Sequence, residues 1–185
     1  MGTVMQPERA EETELAGEEQ QQYLTFHLGK ETFAIGILGV KEIIEYGALT
    51  GVPMMPGCVR GVINLRGRVV PVVDLSVRFG RALTEPGRRT CIVIVEVVAK
   101  GDHRDIGIIV DAVNQVIEIP VADIEPTPSF GANLRCEFIH GMGKVEGRFV
   151  IILNIASVLS IEEIAQLGQR QDPGLAASRE AAAAA

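Results

Sequence analysis

Gly61-Val-Ile-Asn-Leu-Arg-Gly67-Arg68-Val69-Val70 returns eighty positions later (141 − 61) as Gly141-Met-Gly-Lys-Val-Glu-Gly147-Arg148-Phe149-Val150. In each copy an apolar run meets a glycine, an arginine follows, and a second apolar run begins, which is the pattern of a tight hairpin. The register continues downstream, with Asp74 over Asn154, Leu75 over Ile155 and a short helical signal after each. Upstream, Phe33-Ala-Ile-Gly-Ile through Tyr46 lies over Ile106-Gly-Ile-Ile-Val through Ile119 at an offset of 73 (106 − 33), and Pro53 falls on Pro126. One insertion between Pro126 and Gly141 accounts for the change of offset. Val/Ile-rich strands resemble one another by chance, but glycines at hairpin positions are harder to match by accident. The repeat therefore predicts two tandem barrels of about five strands each. They cover roughly 25–80 and 90–160, and exchange of strands between them is allowed.

Between the two ends of the chain, Tyr23–Leu28, Thr32–Gly36, Val69–Val73, Cys91–Val97, Ile106–Val110, Val116–Ile119 and Phe149–Leu153 read as strands. Helical signals are short: Leu75–Phe79 after Asp74, Ala156–Leu159 after Asn154, and Ile161–Leu167 after Ser160, where Ser160 and Glu163 form a capping-box pattern. Aromatics are 4% of the chain with no Trp, so the interior is built from Val, Ile and Leu. The fold class is all-β with short helices.

The ends differ from this core. Residues 1–21 carry Glu8, Glu11, Glu12, Glu14, Glu18 and Glu19 against Arg9, and the Ala-rich stretch after the C-terminal helix within 161–185 has no periodicity, so both read as disordered tails. With a total charge of −7 and about −5 of it in the acidic tail, the body is nearly neutral. Nothing in it suggests a phosphate-tracking basic face or an electrostatic grip on anionic lipid, and with six Phe, two Tyr and a net negative charge nucleic acid is not expected as a partner. No apolar run approaches the roughly 20 residues of a membrane span. Cys58, Cys91 and Cys136 are odd in number and widely spaced. With no signal-peptide pattern, they point to a reducing cytoplasm.

Catalytic chemistry finds little purchase. His27, His103 and His140 stand apart, with no nucleophile beside any of them in sequence. Cys136 and His140 have the spacing of half a metal site without a second pair, so neither a metal nor a cofactor is expected. Asp74 and Asp111 read as caps where a strand ends. The glycines form no phosphate-cradling loop. The alternative to a binding module is a small ligand-binding or enzymatic barrel that uses His140 and Cys136.

Positions that differ in charge between the halves cannot be dictated by the shared fold. Arg66 lies over Glu146 and Asn64 over Lys144. A guanidinium beside a Gly turn is placed to make paired hydrogen bonds to a partner's carboxylate or backbone, a solvated turn arginine being the plain alternative. Pro71 predicts that its strand lies at an edge or carries a bulge. Ile37–Tyr46 holds more apolar residues than one buried face needs, so part of it is expected to line a contact.

Phe33-Ala-Ile-Gly-Ile, Val40-Lys-Glu-Ile-Ile-Glu, Val52-Pro-Met-Met-Pro56, Arg60-Gly-Val-Ile-Asn-Leu-Arg-Gly67 and Val70-Pro-Val-Val-Asp-Leu75 together resemble the CheW family of chemotaxis coupling proteins. Ile106-Gly-Ile-Ile-Val-Asp111 and Phe138-Ile-His-Gly-Met-Gly143 extend the resemblance over about 22–160, and Asn-Leu-Arg-Gly is its most specific part. The resemblance implies two SH3-like five-stranded β-barrels around a hydrophobic junction. It implies a non-enzymatic adaptor that couples the cytoplasmic tip of transmembrane chemoreceptors to the regulatory domain of the histidine kinase CheA. The protein would be cytoplasmic and recruited to membrane-associated arrays, with ring assembly alongside kinase or other coupling proteins. By position, Arg66, Asn64 and Ile37 correspond to receptor contacts, and Val40, Glu42, Gly61, Glu125 and Phe130 to kinase contacts. Other members can carry a basic residue where this chain has Glu125.

Overall fold

The computed structural model describes residues 20–128 and 135–170, the side chains of 166–170 excepted. Phe130, most of the acidic N-terminal segment and the Ala-rich end lie outside the described residues. Eleven strands are described: β1 Gln20–Leu28, β2 Glu31–Gly36, β3 Val40–Glu45, β4 Val59–Leu65, β5 Arg68–Asp74, β6 Cys91–Ala99, β7 Asp102–Val110, β8 Ala112–Pro120, β9 Ile124–Glu125, β10 Ile139–Val145 and β11 Arg148–Leu153. Three helices accompany them: α1 Leu75–Arg78, α2 Ile155–Val158 and α3 Ile161–Arg170. β1 starts at Gln20, two residues inside the stretch expected as tail.

The strands form a six-stranded sheet, β8-β1-β2-β11-β10-β9, and a five-stranded sheet, β3-β6-β7-β5-β4. The sequence repeat matches β1, β2, β3, β4, β5 and α1 with β6, β7, β8, β10, β11 and α2. Under that exchange the order of the five-stranded sheet becomes β8-β1-β2-β11-β10, which is the six-stranded sheet without β9. Each half thus lends its first two strands to the other half's sheet. Each sheet has two joints between the halves, one antiparallel, β1 with β8 and β3 with β6, and one parallel, with Ile151 beside Phe33 and Val72 beside Gly107. The limits 25–80 and 90–160 mark the halves of the sequence; the sheets themselves take 40–110, and 20–36 with 112–153. The counterpart of β9 is the bridge from Thr50 to Val62, as Glu125 pairs with Met142. Thr50 therefore matches Glu125 at an offset of 75, so the insertion is divided around this bridge and does not fall wholly after Pro126.

This exchange explains why several strands are apolar on both faces. In β6, Ile92 and Ile94 face the interior of the five-stranded sheet with Val70, Val72 and Ile109. Val93, Val95 and Val97 face a shared core with Leu24, Phe26, Phe33, Leu153 and Leu159. In β11, Val150 and Ile152 pack inside the six-stranded sheet with Tyr23, Ala34 and Ile119, while Leu153 joins the shared core. A period-2 side-chain pattern with both sides covered gives a continuous Val/Ile run.

Asp74 caps α1, its Oδ1 accepting from the Ser76 N–H at 3.0 Å, and Asn154 Oδ1 accepts from the Ser157 N–H at 3.3 Å. Asp111 does not cap; its Oδ2 accepts from the Gly29 N–H at 2.5 Å and ties the β1–β2 turn down. Pro71 does not mark an edge, because β5 runs between β7 and β4. Its missing N–H is not needed there. Opposite it, Val62 exchanges both backbone bonds with Thr50, and the pairing to β7 begins one residue later at Val72. The bulge lies on β4, between Val59 and Gly61.

The halves are also clasped by side chains. Arg78, buried on α1, donates from Nε to the Val158 carbonyl at 2.8 Å and from Nη2 to Glu163 Oε2 at 2.7 Å. Arg135 donates to both Glu163 oxygens at 3.1 and 3.0 Å, and both guanidiniums lie over the Phe138 ring. Glu163 is thus directed to two arginines and not to a capping box with Ser160. The Arg78 hydrogen bond first, then the charge and hydrogen bonds of Arg135, hold the Glu163 carboxyl below its ordinary value. A carboxylate lowered in the folded state stabilises it above the unfolded-state pKa, and that contribution is lost as pH falls through the folded value. Glu163→Gln is expected to lower unfolding free energy by about 2 kcal/mol at pH 7, because it leaves a buried guanidinium without its counter-charge. The gap from wild type should close as pH drops below about 4. Urea titrations at pH 7 and pH 3 check this, and a gap of the same size at both would contradict it.

Candidate functional site

The β4–β5 and β10–β11 hairpins share one local geometry. Arg66 and Gly67 have φ of 52° and 83°, and Glu146 and Gly147 have 49° and 77°. Two positive φ values in a two-residue loop make a type I′ turn, whose twist suits the flanking strands and whose first position favours Asn or Gly. Arg66 stands against that preference. Asn64 Oδ1 accepts from the Gly67 N–H at 2.8 Å and closes the turn.

Arg66 is 79% exposed, and its Nη2 donates to Glu42 Oε2 on β3 at 3.0 Å. β3 and β4 are the outer strands of their sheet, so this contact and the Thr50–Val62 bridge show the sheet curled until its edges approach. A residue expected to touch the receptor and one expected to touch the kinase are thereby joined. Gly61 is buried in β4, with φ of 148°. A Cβ there would stand 2.4 Å from the Thr50 carbonyl oxygen. Val40 is half-buried opposite Val95, and Ile37 packs against the shared core beside Leu38, which is 99% exposed. Glu125 sits apart on β9, exposed, at the outer edge of the other sheet.

Immediately beyond the turn, Val69 is 73% exposed. It borders a groove of about 360 Å³ lined by Met55, Val59, Pro71 and Ile106, with Ile161 and Ile164 of α3 as the far wall. Arg68, His103, Arg104 and Asp105 form its polar rim, and Arg68 pairs with Asp105 at 3.2 Å. Met54, with φ of 61°, is also exposed. Neither Val69 nor the Met54-Met55 loop was among the expected contacts; the signal was an apolar pair between Pro53 and Pro56, in a loop where polar residues are usual. On the same face as Ile92 and Ile94, towards the end of β6, Glu96 stands opposite Asp105, a like-charge cross-strand pair offset by Lys41 and Arg68.

His140 occupies the bulge between Ile139 and Gly141 and is exposed. Its counterpart Arg60, in the matching bulge, donates to the buried carboxylate of Asp74 at 3.0 Å. Cys136 lies in a 3-10 turn, exposed, while Cys58 is buried and burial pushes its thiol pKa up. Among the described residues no group of three His, Cys, Asp or Glu is placed to hold a metal ion. His140→Ala is expected to change stability by less than about 0.5 kcal/mol and to leave partner binding unchanged; isothermal titration checks the second point, and lost binding would return His140 to the site. The exposed arginine on a fixed turn, beside an apolar groove with a charged rim, is equipped to bind a protein segment.

The family model described as CheW-like domain matches residues 22–163. The Chemotaxis protein CheW of Klebsiella aerogenes is 36% identical over 154 residues, covering 83% of this chain and 90% of that one. Protein FrzA of Myxococcus xanthus is 30% identical, covering 84% and 94%. The crystal structure of the scaffolding protein TtCheW from Thermoanaerobacter tengcongensis matches with a TM-score of 0.68 and 32% identity, over 76% of this chain and 92% of that one.

Proposed function

The chain belongs to the CheW family, and we propose that it is a non-enzymatic coupling protein that holds a CheA-type histidine kinase, through its regulatory domain, beside the cytoplasmic tip of a chemoreceptor. The observation that carries this reading is Arg66, exposed, fixed by Glu42 and by a type I′ turn, on the hairpin whose next residues, Arg68 and Val69, line an apolar groove. An arginine anchor next to apolar surface is the usual composition of a binding hot spot. An amphipathic receptor helix suits the groove, with its apolar face on Val69, Pro71 and Ile164. The kinase is assigned the Val40 and Gly61 side of the sheet, with Glu125 and Phe130 serving a second kinase or coupling-protein contact in a ring. Among the described residues no helix is long and apolar enough to cross a membrane; in this reading the receptor supplies the attachment to the array. Affinity purification of the tagged protein from its native cell, with cross-linking, tests the proposal. Recovery of both a receptor and a CheA-type kinase is expected, and recovery of neither would refute it.

A further inference from the structure

Of the fourteen Lys and Arg between residues 20 and 165, nine stand in ion pairs: Lys41, Arg60, Arg66, Arg68, Arg78, Arg81, Lys100, Arg104 and Arg135. Of the other five, Lys30, Arg88 and Arg89 are exposed and gather on two adjoining grooves of about 600 and 360 Å³ that share Gly29, Arg89 and Asp111. The acidic groups there are Glu85, Asp111, which is engaged by the Gly29 N–H, and Glu31, which pairs with Arg81. The exposed Leu83 adds an apolar contact. We propose that this surface receives the chain's own acidic segment, with Glu8, Glu11 and Glu12 against Arg88, Arg89 and Lys30.

Charge complementarity and reach select this occupant. Residues 1–19 carry six Glu and one Arg, most of the chain's net negative charge. The segment enters β1 at Gln20, paired with Pro120, whereas the basic groove lies at the other end of β1, where Arg81 donates to the Leu28 carbonyl. Eight strand steps separate the two ends, roughly 26 Å. Glu12, Glu11 and Glu8 stand eight, nine and twelve residues before Gln20 and span up to roughly 26, 30 and 40 Å when extended. Glu18 and Glu19 are too close to the strand to reach. Tethering supplies an effective concentration in the millimolar range, which lets weak, screened charge contacts hold at low salt.

Cleavage of the full chain by a glutamate-specific endoprotease tests the proposal, with the free peptide of residues 1–19 as reference for the protease's own salt response. At 20 mM salt, cuts after Glu11 and Glu12 are expected about fivefold slower in the full chain than in the peptide. The difference should vanish near 0.5 M salt and in R88E/R89E at either salt. If that variant fails to fold, R88Q/R89Q serves the same reading. Equal rates in chain and peptide at low salt would overturn the proposal, as would protection that survives in the folded double variant. Protection that fades on dilution would assign the groove to the segment of a second copy and overturn it equally.

Discussion

Gly61→Val is expected to lower the unfolding free energy by about 3–5 kcal/mol, enough to threaten the fold of a domain this size. Two costs add. The residue has φ of 148°, which an L side chain rarely adopts, and its Cβ would come within 2.4 Å of the Thr50 carbonyl oxygen and 2.9 Å of the Thr50 carbonyl carbon. Backbone atoms cannot rotate away as a side-chain tip can. The bridge that would have to open exchanges two hydrogen bonds between Thr50 and Val62 and brings together the edges of the five-stranded sheet. A Cβ at Gly67 meets no atom within 4 Å, so the same valine there costs chiefly its φ of 83°, about 1–2 kcal/mol. Urea denaturation of the two variants should therefore rank Gly61 well above Gly67. Equal losses would show that the close approach to Thr50 is relieved in solution. If Gly61 does rank above Gly67, any loss of kinase association in the Gly61 variant follows from the fold and not from a contact made by Gly61.

Arg66→Glu should behave in the opposite way, with little effect on folding and a large one on binding. The side chain is mostly exposed and its ion pair among the described residues is with Glu42, so its removal is worth under about 1 kcal/mol of stability. Glu146 shows that the same turn geometry accepts glutamate. Affinity for a receptor-tip fragment should fall at least tenfold, about 1.4 kcal/mol. The double exchange Glu42→Arg with Arg66→Glu separates two roles. If Arg66 acts only by tying the turn to β3, restoring the pair with reversed sign restores binding; if Arg66 or Glu42 touches the partner, binding stays lost while stability returns.

The plan of the fold was legible because the repeat carries turn chemistry. Gly67 and Gly147 mark the same positive φ in both halves, and Asp74 and Asn154 the same cap. The exchange of strands was only allowed for, since a Val/Ile run apolar on both faces says that both sides are covered without saying by which half. Pro71 misled because an interior strand can have a position at which neither neighbour asks for an N–H, and only the Thr50–Val62 bridge reveals it. Of the candidate site, Arg66 was found by its mismatch with Glu146. Its partner Glu42 lies twenty-four residues away on a strand whose apolar and charged residues do not alternate cleanly, and the groove under Val69 needs α3 to close it. Both depend on tertiary contacts that no local pattern encodes.

The central claim is simultaneous engagement of two partners. Size-exclusion chromatography of this protein mixed with a CheA-type regulatory domain and a soluble receptor-tip fragment tests it most directly. One peak holding all three is expected, with kinase domain and receptor fragment eluting apart when this protein is left out. If binding of either one expels the other, or if neither binds, the protein does not couple them.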